Sequence, residues 1–287
     1  MTSLEDQLKR RTTVPTSHYD FEQLADIYNQ TRVDYIVPMP MNAKRMMEYV
    51  YNYDVDLDVS VVALNGDRQE VGIGMVGLRE DRVWLTRLGV LPLSRGLKMG
   101  QYLMESMLER AAEGGAKHAQ LEVIVGNDPA HGLFVKLGFE DVRKLLIIRR
   151  PPGKIEQNDA YETADIRMMA DGEVPFYLEQ RDPYASWVEE TPSLLNAGRL
   201  QGMIVTMPDG QTGWVIFQKL PFQLTHIVLS PASQYMMEVM LYHIHRAHPM
   251  HDTKVENMLP ESVAWQAYQN IGYFEVFART EMYLTLG

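Results

Sequence analysis

The sequence predicts an α/β protein in which one type of domain is repeated in tandem. Helical and strand-like apolar patterns alternate between residues 21 and 148, and short segments of this half recur in the same order in the second half. Between the halves, residues 151–153 (PPG) disfavour continuation of a helix or strand and are typical of a linker. We therefore expect one domain over residues 1–153 and a second over residues 154–287.

The first half is a series of strands interrupted by helices. Apolar residues spaced by three or four positions predict helices, and short apolar runs between turn residues predict strands. In chain order, we predict helices at 21–29 and 41–53, strands at 59–64, 71–78 and 83–90, a helix at 101–112, a strand at 118–125, a helix at 129–137 and a strand at 144–148. Gly114 and Gly115 end the third helix, and Pro129 suits the first turn of the fourth.

Three pairs of segments carry the internal repeat. Residues 85–92 (LTRLGVLP) recur as 224–231 (LTHIVLSP), and residues 101–105 (QYLME) recur as 234–238 (QYMME). Further on, positions 130, 134, 138 and 139 match positions 264, 268, 272 and 273. Between the first and second pairs the offset falls from 139 to 133, so the second copy lacks six residues, 95–100 (RGLKMG). Only the first of the two related domains contains this segment.

Composition and charge exclude several classes of function. The 287 residues are 46% apolar and 23% charged, as in globular proteins, and the lack of cysteine excludes disulfides, a Cys nucleophile and thiolate metal sites. Residues 1–150 hold 19 Lys and Arg against 21 Asp and Glu, a net charge of −2, whereas residues 151–287 hold 8 against 17, a net charge of −9. An acidic surface repels polyanions, so we expect no nucleic-acid partner and expect an anionic cofactor to prefer the first half.

We expect a cytoplasmic location, no membrane partner and no metal. Residues 1–7 (MTSLEDQ) show no apolar stretch behind a basic start, and the apolar runs of the chain have strand length and are interrupted by charges. The histidines at positions 243, 245, 248 and 251 diverge around a helical pattern that Pro249 interrupts, which does not suit a metal site.

The segment from Val90 to Gly100 runs from a strand into a helix through a glycine-containing loop. Helix N-termini carry unpaired amide N–H groups and a partial positive charge, so such a loop suits phosphate oxygens. Arg95 and Lys98 add formal positive charge. From the loop alone, an ordinary strand-to-helix connection with a surface arginine is an equally acceptable interpretation.

The wider pattern around this loop resembles the GNAT superfamily of acyl-CoA N-acyltransferases. In that family a strand ending in Leu-x-Val-x-Pro leads into Arg/Gln-x-x-Gly-x-Gly, and here residues 88–92 (LGVLP) lead into residues 95–100 (RGLKMG). The downstream family pattern, Leu-Glu-Val, Asn, Ala and then Leu-Tyr-x-x-x-Gly-Phe, is met at matching spacing by residues 121–139 (LEVIVGNDPAHGLFVKLGF). The resemblance is good over residues 59–148.

This resemblance implies two tandem GNAT-like domains, each with a mixed, mostly antiparallel central sheet flanked by helices. It implies transfer of an acetyl or other acyl group from the co-substrate acetyl-CoA to a primary amine on a small molecule or peptide. The second copy lacks the loop and is strongly acidic. We interpret it as a degenerate domain that supports the first or forms a subunit contact, so a homo-oligomer is compatible with the sequence.

The resemblance also assigns residues to the cofactor and the reaction. It implies that the backbone around Leu88 to Val90 and the Asn127 side chain hold the pantetheine, and that Glu122 stands where ribosomal-protein alanine acetyltransferases of the family keep a catalytic glutamate. The residues expected to bind the cofactor are Leu88, Gly89, Val90, Arg95, Gly96, Leu97, Lys98, Met99, Gly100, Gln101, Asn127 and Phe134. From the residues alone, Glu122 equally suits a polar strand face and Asn127 a turn at a strand end.

Two positions depart from the family pattern. Lys98 replaces the first loop glycine, and Phe134 stands where many members have the tyrosine that protonates the departing thiolate. A phenyl ring cannot donate a proton. Two alternatives to amine acetylation therefore stay open: a non-catalytic acyl-CoA sensor or regulatory module, and a transferase that uses a different acyl donor.

Overall fold

In a computed structural model, the chain divides into two compact units. The first comprises Met1–Arg143 and Thr280–Gly287, and the second comprises Lys144–Arg279. The structure describes residues 10–170, 172–181 and 185–287. Residues 1–7, on which the expectation of no secretion signal rests, lie outside this part of the chain. The first boundary between the compact units falls between Arg143 and Lys144, a few residues before the predicted linker at 151–153. The predicted boundary between the two sequence copies stays a prediction.

Twelve strands and eight α-helices are formed by the residues that the structure describes. The strands are β1 (Thr12–Pro15), β2 (Val55–Leu64), β3 (Glu70–Arg79), β4 (Arg82–Val90), β5 (His118–Ile124), β6 (Glu140–Arg150), β7 (Asp165–Met168), β8 (Leu200–Thr206), β9 (Thr212–Lys219), β10 (Gln223–Leu229), β11 (Asp252–Met258) and β12 (Phe274–Thr285). The helices are α1 (Phe21–Gln30), α2 (Ala43–Asn52), α3 (Met99–Glu113), α4 (Asp128–Lys136), α5 (Glu173–Leu178), α6 (Thr191–Ala197), α7 (Gln234–Ala247) and α8 (Val263–Asn270).

The central sheet of the first unit has the strand order β1-β2-β3-β4-β5, with the end of β12 beside β5. The β1–β2, β2–β3 and β3–β4 pairs are antiparallel, and the β4–β5 pair is parallel. Every helix and strand predicted for the first half is present, with bounds shifted by a few residues. The largest shifts are at β2 and β6, which begin four residues earlier than predicted. Charged residues interrupt the apolar run at both starts, where the sequences are VDLD in β2 and EDVR in β6.

Local sequence explains where the helices of the first unit begin. Asp20 caps α1 in a reciprocal pair with Gln23, and the Asn42 side chain accepts a hydrogen bond from the backbone of Arg45 at the start of α2. The N-cap of α3 is different, because Lys98 adopts a left-handed conformation with φ of 60° and contributes no side-chain hydrogen bond.

Two glycines of β3 allow α3 to pack closely on the sheet. A Cβ atom at Gly72 would lie 2.9 Å from Leu103 Cδ1, and one at Gly74 would lie 2.5 Å from Met107 Cε. Both distances are shorter than van der Waals contact, so a side chain at either position would displace side chains of α3 in the core. Leu103 and Met107 are fully buried in the resulting core.

The second unit has the strand order β6-β11-β10-β9-β8-β7. Its β10–β11 pair is parallel and the other pairs are antiparallel, so each unit contains one parallel pair at the equivalent position. Helix α7 supplies much of the core of this unit through buried residues such as Met240 and Ile244. The predicted fold class, with a mixed and mostly antiparallel sheet flanked by helices in each domain, is confirmed.

Backbone features recur at the offsets of the sequence repeat. Arg87 in β4 and His226 in β10 both sit at irregular positions of their strands with positive φ, 54° and 50°. Gly138 and Gly272 both have φ of 94° after their helices, and in each copy the next residue donates a 3.0 Å hydrogen bond to the carbonyl of Phe134 or Tyr268. The same turns therefore end the same elements in both units.

None of the helices in the described part of the chain is long and apolar enough to cross a membrane.

The left-handed turn after α4 gives a test of the fold. Replacement of Gly138 by alanine is expected to lower the free energy of unfolding by about 1–2 kcal/mol, because its φ of 94° is strained for any residue with a Cβ atom. The control Gly132→Ala lies inside α4, where a Cβ meets nothing within 4 Å, and is expected to raise it by about 0.5–1 kcal/mol. Denaturant unfolding measures both, and equal effects would contradict the turn geometry.

Candidate active site

A cleft forms where the parallel strands β4 and β5 separate. Their register runs from Arg82–His118 to Trp84–Gln120, and beyond these pairs the strands diverge around the bulge at Arg87. The cleft has a volume of about 660 Å³ and is bordered by residues 88–90 of β4 on one side and by Gly126 and Asn127, which follow β5, on the other. Residues 88–90 of β4 thus border the cleft without pairing with β5.

Ten of the twelve residues predicted to bind the cofactor line this cleft: Leu88, Gly89, Val90, Arg95, Gly96, Lys98, Met99, Gly100, Gln101 and Asn127. Of the two others, Phe134 lies in the core of the unit and Leu97 packs against it. Leu97 is partly buried against the core, and the Phe134 ring is 7% exposed and packs against Phe139 with ring centroids 6.1 Å apart.

The predicted phosphate loop ends at an uncapped helix N-terminus. After a short 3-10 turn at Pro92–Ser94, Gly96 adopts φ of 77°, and Lys98 precedes α3 without capping it by a side chain. A Cβ at Gly100 would lie 3.3 Å from Leu133 Cδ2, so glycine keeps the first turn of α3 close to α4. The second copy differs here, because the Ser233 side chain accepts a hydrogen bond from Met236 N and caps α7.

The cleft is basic although the chain carries a net charge of −11. Its lining includes four basic side chains, Arg32, Arg95, Lys98 and Lys136, and one carboxylate, Asp34. Together with the amide groups at the start of α3, this set of donors suits a phosphorylated ligand. The sequence prediction of a polyanion-binding loop in the first half agrees with this distribution of charge.

Arg95, the first residue of the loop motif, is bound by groups of the protein. Its Nη1 and Nη2 donate to the two carboxylate oxygens of Asp34 at 2.6 and 2.7 Å, and its Nε donates to Val90 O at 3.1 Å. The hydrogen bond from Arg95 lowers the pKa of Asp34 below its usual value, and the same bond raises the pKa of Arg95. Both groups are therefore charged at neutral pH.

A segment that the sequence prediction missed crosses the cleft. Residues 31–36, called here the strap, lie between α1 and α2 and contribute five residues to the lining. Arg32 Nη2 donates to Leu88 O at 2.8 Å, and Asn127 Nδ2 donates to the Tyr35 hydroxyl at 3.4 Å. In the sequence, this segment is marked only by charged and aromatic residues between two predicted helices. Its position at the cleft follows from the fold and not from the sequence pattern.

Glycine at position 89 permits this close approach. A Cβ at Gly89 would lie 2.1 Å from Thr31 Oγ1, a distance that no side chain could tolerate. Thr31 is itself buried and its hydroxyl donates to Tyr28 O at 2.7 Å. The Gly89 of the motif therefore serves the packing of the strap against β4.

Glu122, the predicted base, lies on β5 two residues beyond the last β4–β5 pair. Its Oε2 accepts a 2.7 Å hydrogen bond from the indole Nε1 of Trp84 on β4. Trp84 is 4% exposed and packs against the rings of Tyr49 and Tyr53. The carboxylate is thus oriented by a buried aromatic cluster, and it is not among the residues that line the cleft.

Tyr268, which occupies the general-acid position in the second copy, is enclosed in its unit. Its side chain is 1% exposed and packs on Tyr273 with ring centroids 4.7 Å apart. Burial raises the pKa of Tyr268 well above its usual value. The nearby bulge residue His226 is also buried, and its Nδ1 lies 3.2 Å from Glu189 Oε1.

Within the described residues, no group of three or more His, Asp or Glu side chains is arranged to hold a metal ion.

Comparison with known proteins finds a family match in the first half of the chain. Residues 22–139 match the model of the acetyltransferase (GNAT) family. A Bacillus subtilis (strain 168) protein, whose name assigns it as a ribosomal protein bS18-alanine N-acetyltransferase, is 37% identical over 60 residues, which are 21% of this chain and 40% of that protein. The chain therefore matches less than half of the length of this relative.

Solved structures extend the similarity in fold to both units. A GCN5-related N-acetyltransferase from Sphaerobacter thermophilus has a TM-score of 0.73 at 13% identity, with 96% of each chain covered. A tandem GNAT protein from the clavulanic acid biosynthesis pathway has a TM-score of 0.68 at 12% identity, with 96% of this chain and 99% of that chain covered. At these identities the similarity concerns the fold alone.

The predicted resemblance to the GNAT superfamily is thus supported over residues 22–139, and the chain has the fold of two tandem GNAT domains.

The strained backbone at Lys98 gives a test of the loop. Replacement by glycine or by alanine removes the same positive charge, but only glycine relieves the left-handed conformation. Lys98→Gly is expected to have a free energy of unfolding about 1 kcal/mol higher than that of Lys98→Ala. Both variants are expected to bind CoA equally weakly relative to the wild type at low ionic strength. Equal stability of the two variants would contradict the loop conformation.

Proposed function

We propose that the protein is an N-acyltransferase that moves an acetyl group from acetyl-CoA to a primary amine. The observation that carries the proposal is the basic cleft between β4 and β5, which ends at the uncapped N-terminus of α3. Of the two copies, only the first combines this loop with a helix start that no side chain caps.

The residues of the cleft fit the parts of an acyl-CoA. The backbone amides from Lys98 to Gln101 and the charges of Arg95 and Lys98 suit the diphosphate. Polar backbone groups of residues 88–90 and the Asn127 amide suit the amide-containing pantetheine arm, which would then run between the two strands. When bound, acetyl-CoA supplies an acyl group with a thiolate as leaving group.

Glu122 is proposed as the base for the acceptor amine. The acceptor ammonium first gives a proton to the Glu122 carboxylate, directly or through water, because only the neutral nitrogen has a lone pair that can bond to the thioester carbonyl carbon. After this bond forms, the nitrogen loses its second proton to water. The carbon–sulfur bond breaks, and the electron pair leaves with the sulfur. The hydrogen bond from Trp84 Nε1 fixes one carboxylate oxygen, which orients the other. Phe134 cannot protonate the thiolate, so a water molecule supplies that proton.

The acceptor is proposed to be a cationic small molecule or a peptide N-terminus. The net charge of −11 favours approach of a cation over that of an anion. The Bacillus subtilis relative bears the name of a protein-alanine N-acetyltransferase, and the match to it supports a peptide amine as one candidate class.

Separate effects on binding and turnover test the proposal. Arg95→Ala is expected to weaken CoA binding about tenfold, because a charge-assisted donor to the diphosphate is lost. Glu122→Gln is expected to leave CoA affinity unchanged and to lower kcat about 100- to 10,000-fold, because an amide does not accept the ammonium proton. Calorimetry measures binding, and thiol release with a panel of primary amines measures turnover.

Glu113→Gln, an exposed carboxylate at the end of α3, is the matched control for Glu122→Gln and should change neither quantity. Unchanged turnover of Glu122→Gln between about pH 6 and 9 would remove its assigned role. Binding of CoA by the wild type without thiol release for any amine would instead favour the acyl-CoA sensor.

A further inference from the structure

The strap contacts the same groups that the proposed function assigns to acyl-CoA. Arg32 Nη2 donates to Leu88 O, and Arg95 Nε donates to Val90 O, so two carbonyls of β4 that face the cleft already accept hydrogen bonds from side chains. The Asp34 carboxylate accepts hydrogen bonds from both terminal nitrogens of Arg95. The strap is therefore joined to β4 through Arg32, and to the loop through the Asp34–Arg95 pair and a 3.1 Å hydrogen bond from Arg95 Nη2 to Thr31 O.

Asp34 is chemically similar to the ligand that Arg95 is expected to hold. A carboxylate and a phosphate both present two oxygens to the fork of a guanidinium group, so one arginine cannot bind both in this way at once. Among the described residues that line the cleft, Asp34 is the one acidic side chain against four basic ones. It thus neutralises charge at the point where the cleft is most suited to a polyanion.

We propose that the strap is a latch. Asp34 occupies the place on Arg95 that the cofactor diphosphate takes, and Asp34 must leave this place when acyl-CoA binds. This inference rests on the proposed function, because it takes the cleft to be the acyl-CoA site. Binding then exchanges one anion for another on the same guanidinium group, and the affinity for CoA is lower than the loop alone would give.

The exposure of the ion pair makes this exchange feasible. The side chains of Asp34 and Arg95 are 53% and 42% exposed, so solvent and salt screen their attraction. A diphosphate carries more charge and additionally meets the amides of α3. The equilibrium therefore favours the cofactor while the latch reduces the apparent affinity by a modest factor.

Other contacts hold the strap independently of Asp34. Thr31 packs against Gly89, and the Arg32 guanidinium stacks on the Tyr35 ring at 3.9 Å from its centroid. A substitution of Asp34 is therefore expected to remove the carboxylate from Arg95 without unfolding the segment, while Val90 O and Thr31 O still accept hydrogen bonds from Arg95 Nε and Nη2. An opposing role would be that Asp34 orients Arg95 towards the diphosphate, and this role predicts an effect of the opposite sign.

The test is calorimetric titration of the full chain with CoA and, separately, with acetylpantetheine, which lacks the diphosphate. For Asp34→Asn, the Kd for CoA is expected to fall about two- to fivefold, and the Kd for acetylpantetheine to stay unchanged. Asp26→Asn is the control, because this exposed carboxylate on α1 gives the same change in net charge away from the loop and should leave both constants unchanged. In an Arg95→Ala background, the gain from Asp34→Asn should disappear.

Unchanged or weaker CoA binding by Asp34→Asn, with a wild type that binds CoA, would overturn the latch and leave the proposed function standing. An equal gain for acetylpantetheine would also overturn it, since the effect would then not concern the diphosphate. If neither the wild type nor Asp34→Asn binds CoA, both the latch and the proposed function are wrong.

Discussion

The separation of β4 from β5 is the constraint on which the proposed chemistry depends. Two parallel strands that stay paired along their length offer no backbone groups to a ligand, because each group is used in the sheet. Here the pairs end at Trp84–Gln120, and the bulge at Arg87 redirects β4. The separation leads to the start of α3, which the glycines at 72 and 74 hold close against the sheet. Strand, loop and helix N-terminus thus meet at one cleft.

The two copies share a scaffold and differ at the position proposed as the anion site. Both have a positive-φ bulge in the strand before the loop, a parallel strand pair and the same turn after the following short helix. They differ at the helix start, where the first copy has Lys98 without a side-chain cap and the second has Ser233 bonded to its own helix. The Ser233 side chain accepts a hydrogen bond from an amide at the start of α7, so that amide is not open to a phosphate. The shorter connection and the serine cap therefore both make the second copy unsuited to the anion site proposed for the first.

Much of the fold and part of the site followed from the sequence, for physical reasons. Apolar periodicity marks the elements of the first half, and the Gly and basic residues of the loop mark its chemistry, because these signals are local. The strap was not predicted, since its place at the cleft depends on contacts between Arg32 and Leu88, or Asp34 and Arg95, that are some 60 residues apart in the chain. The burial of Leu97 and Phe134 was missed for a related reason, because a motif gives positions and not directions of side chains.

The most direct test of the account is a crystal structure of the full chain grown with acetyl-CoA, together with the stoichiometry of binding in solution. The account predicts one CoA per chain, with its diphosphate at the amides that begin α3 and with Asp34 withdrawn from Arg95. Two CoA molecules per chain, or a diphosphate bound in the second unit near Ser233, would contradict the division of roles between the two copies.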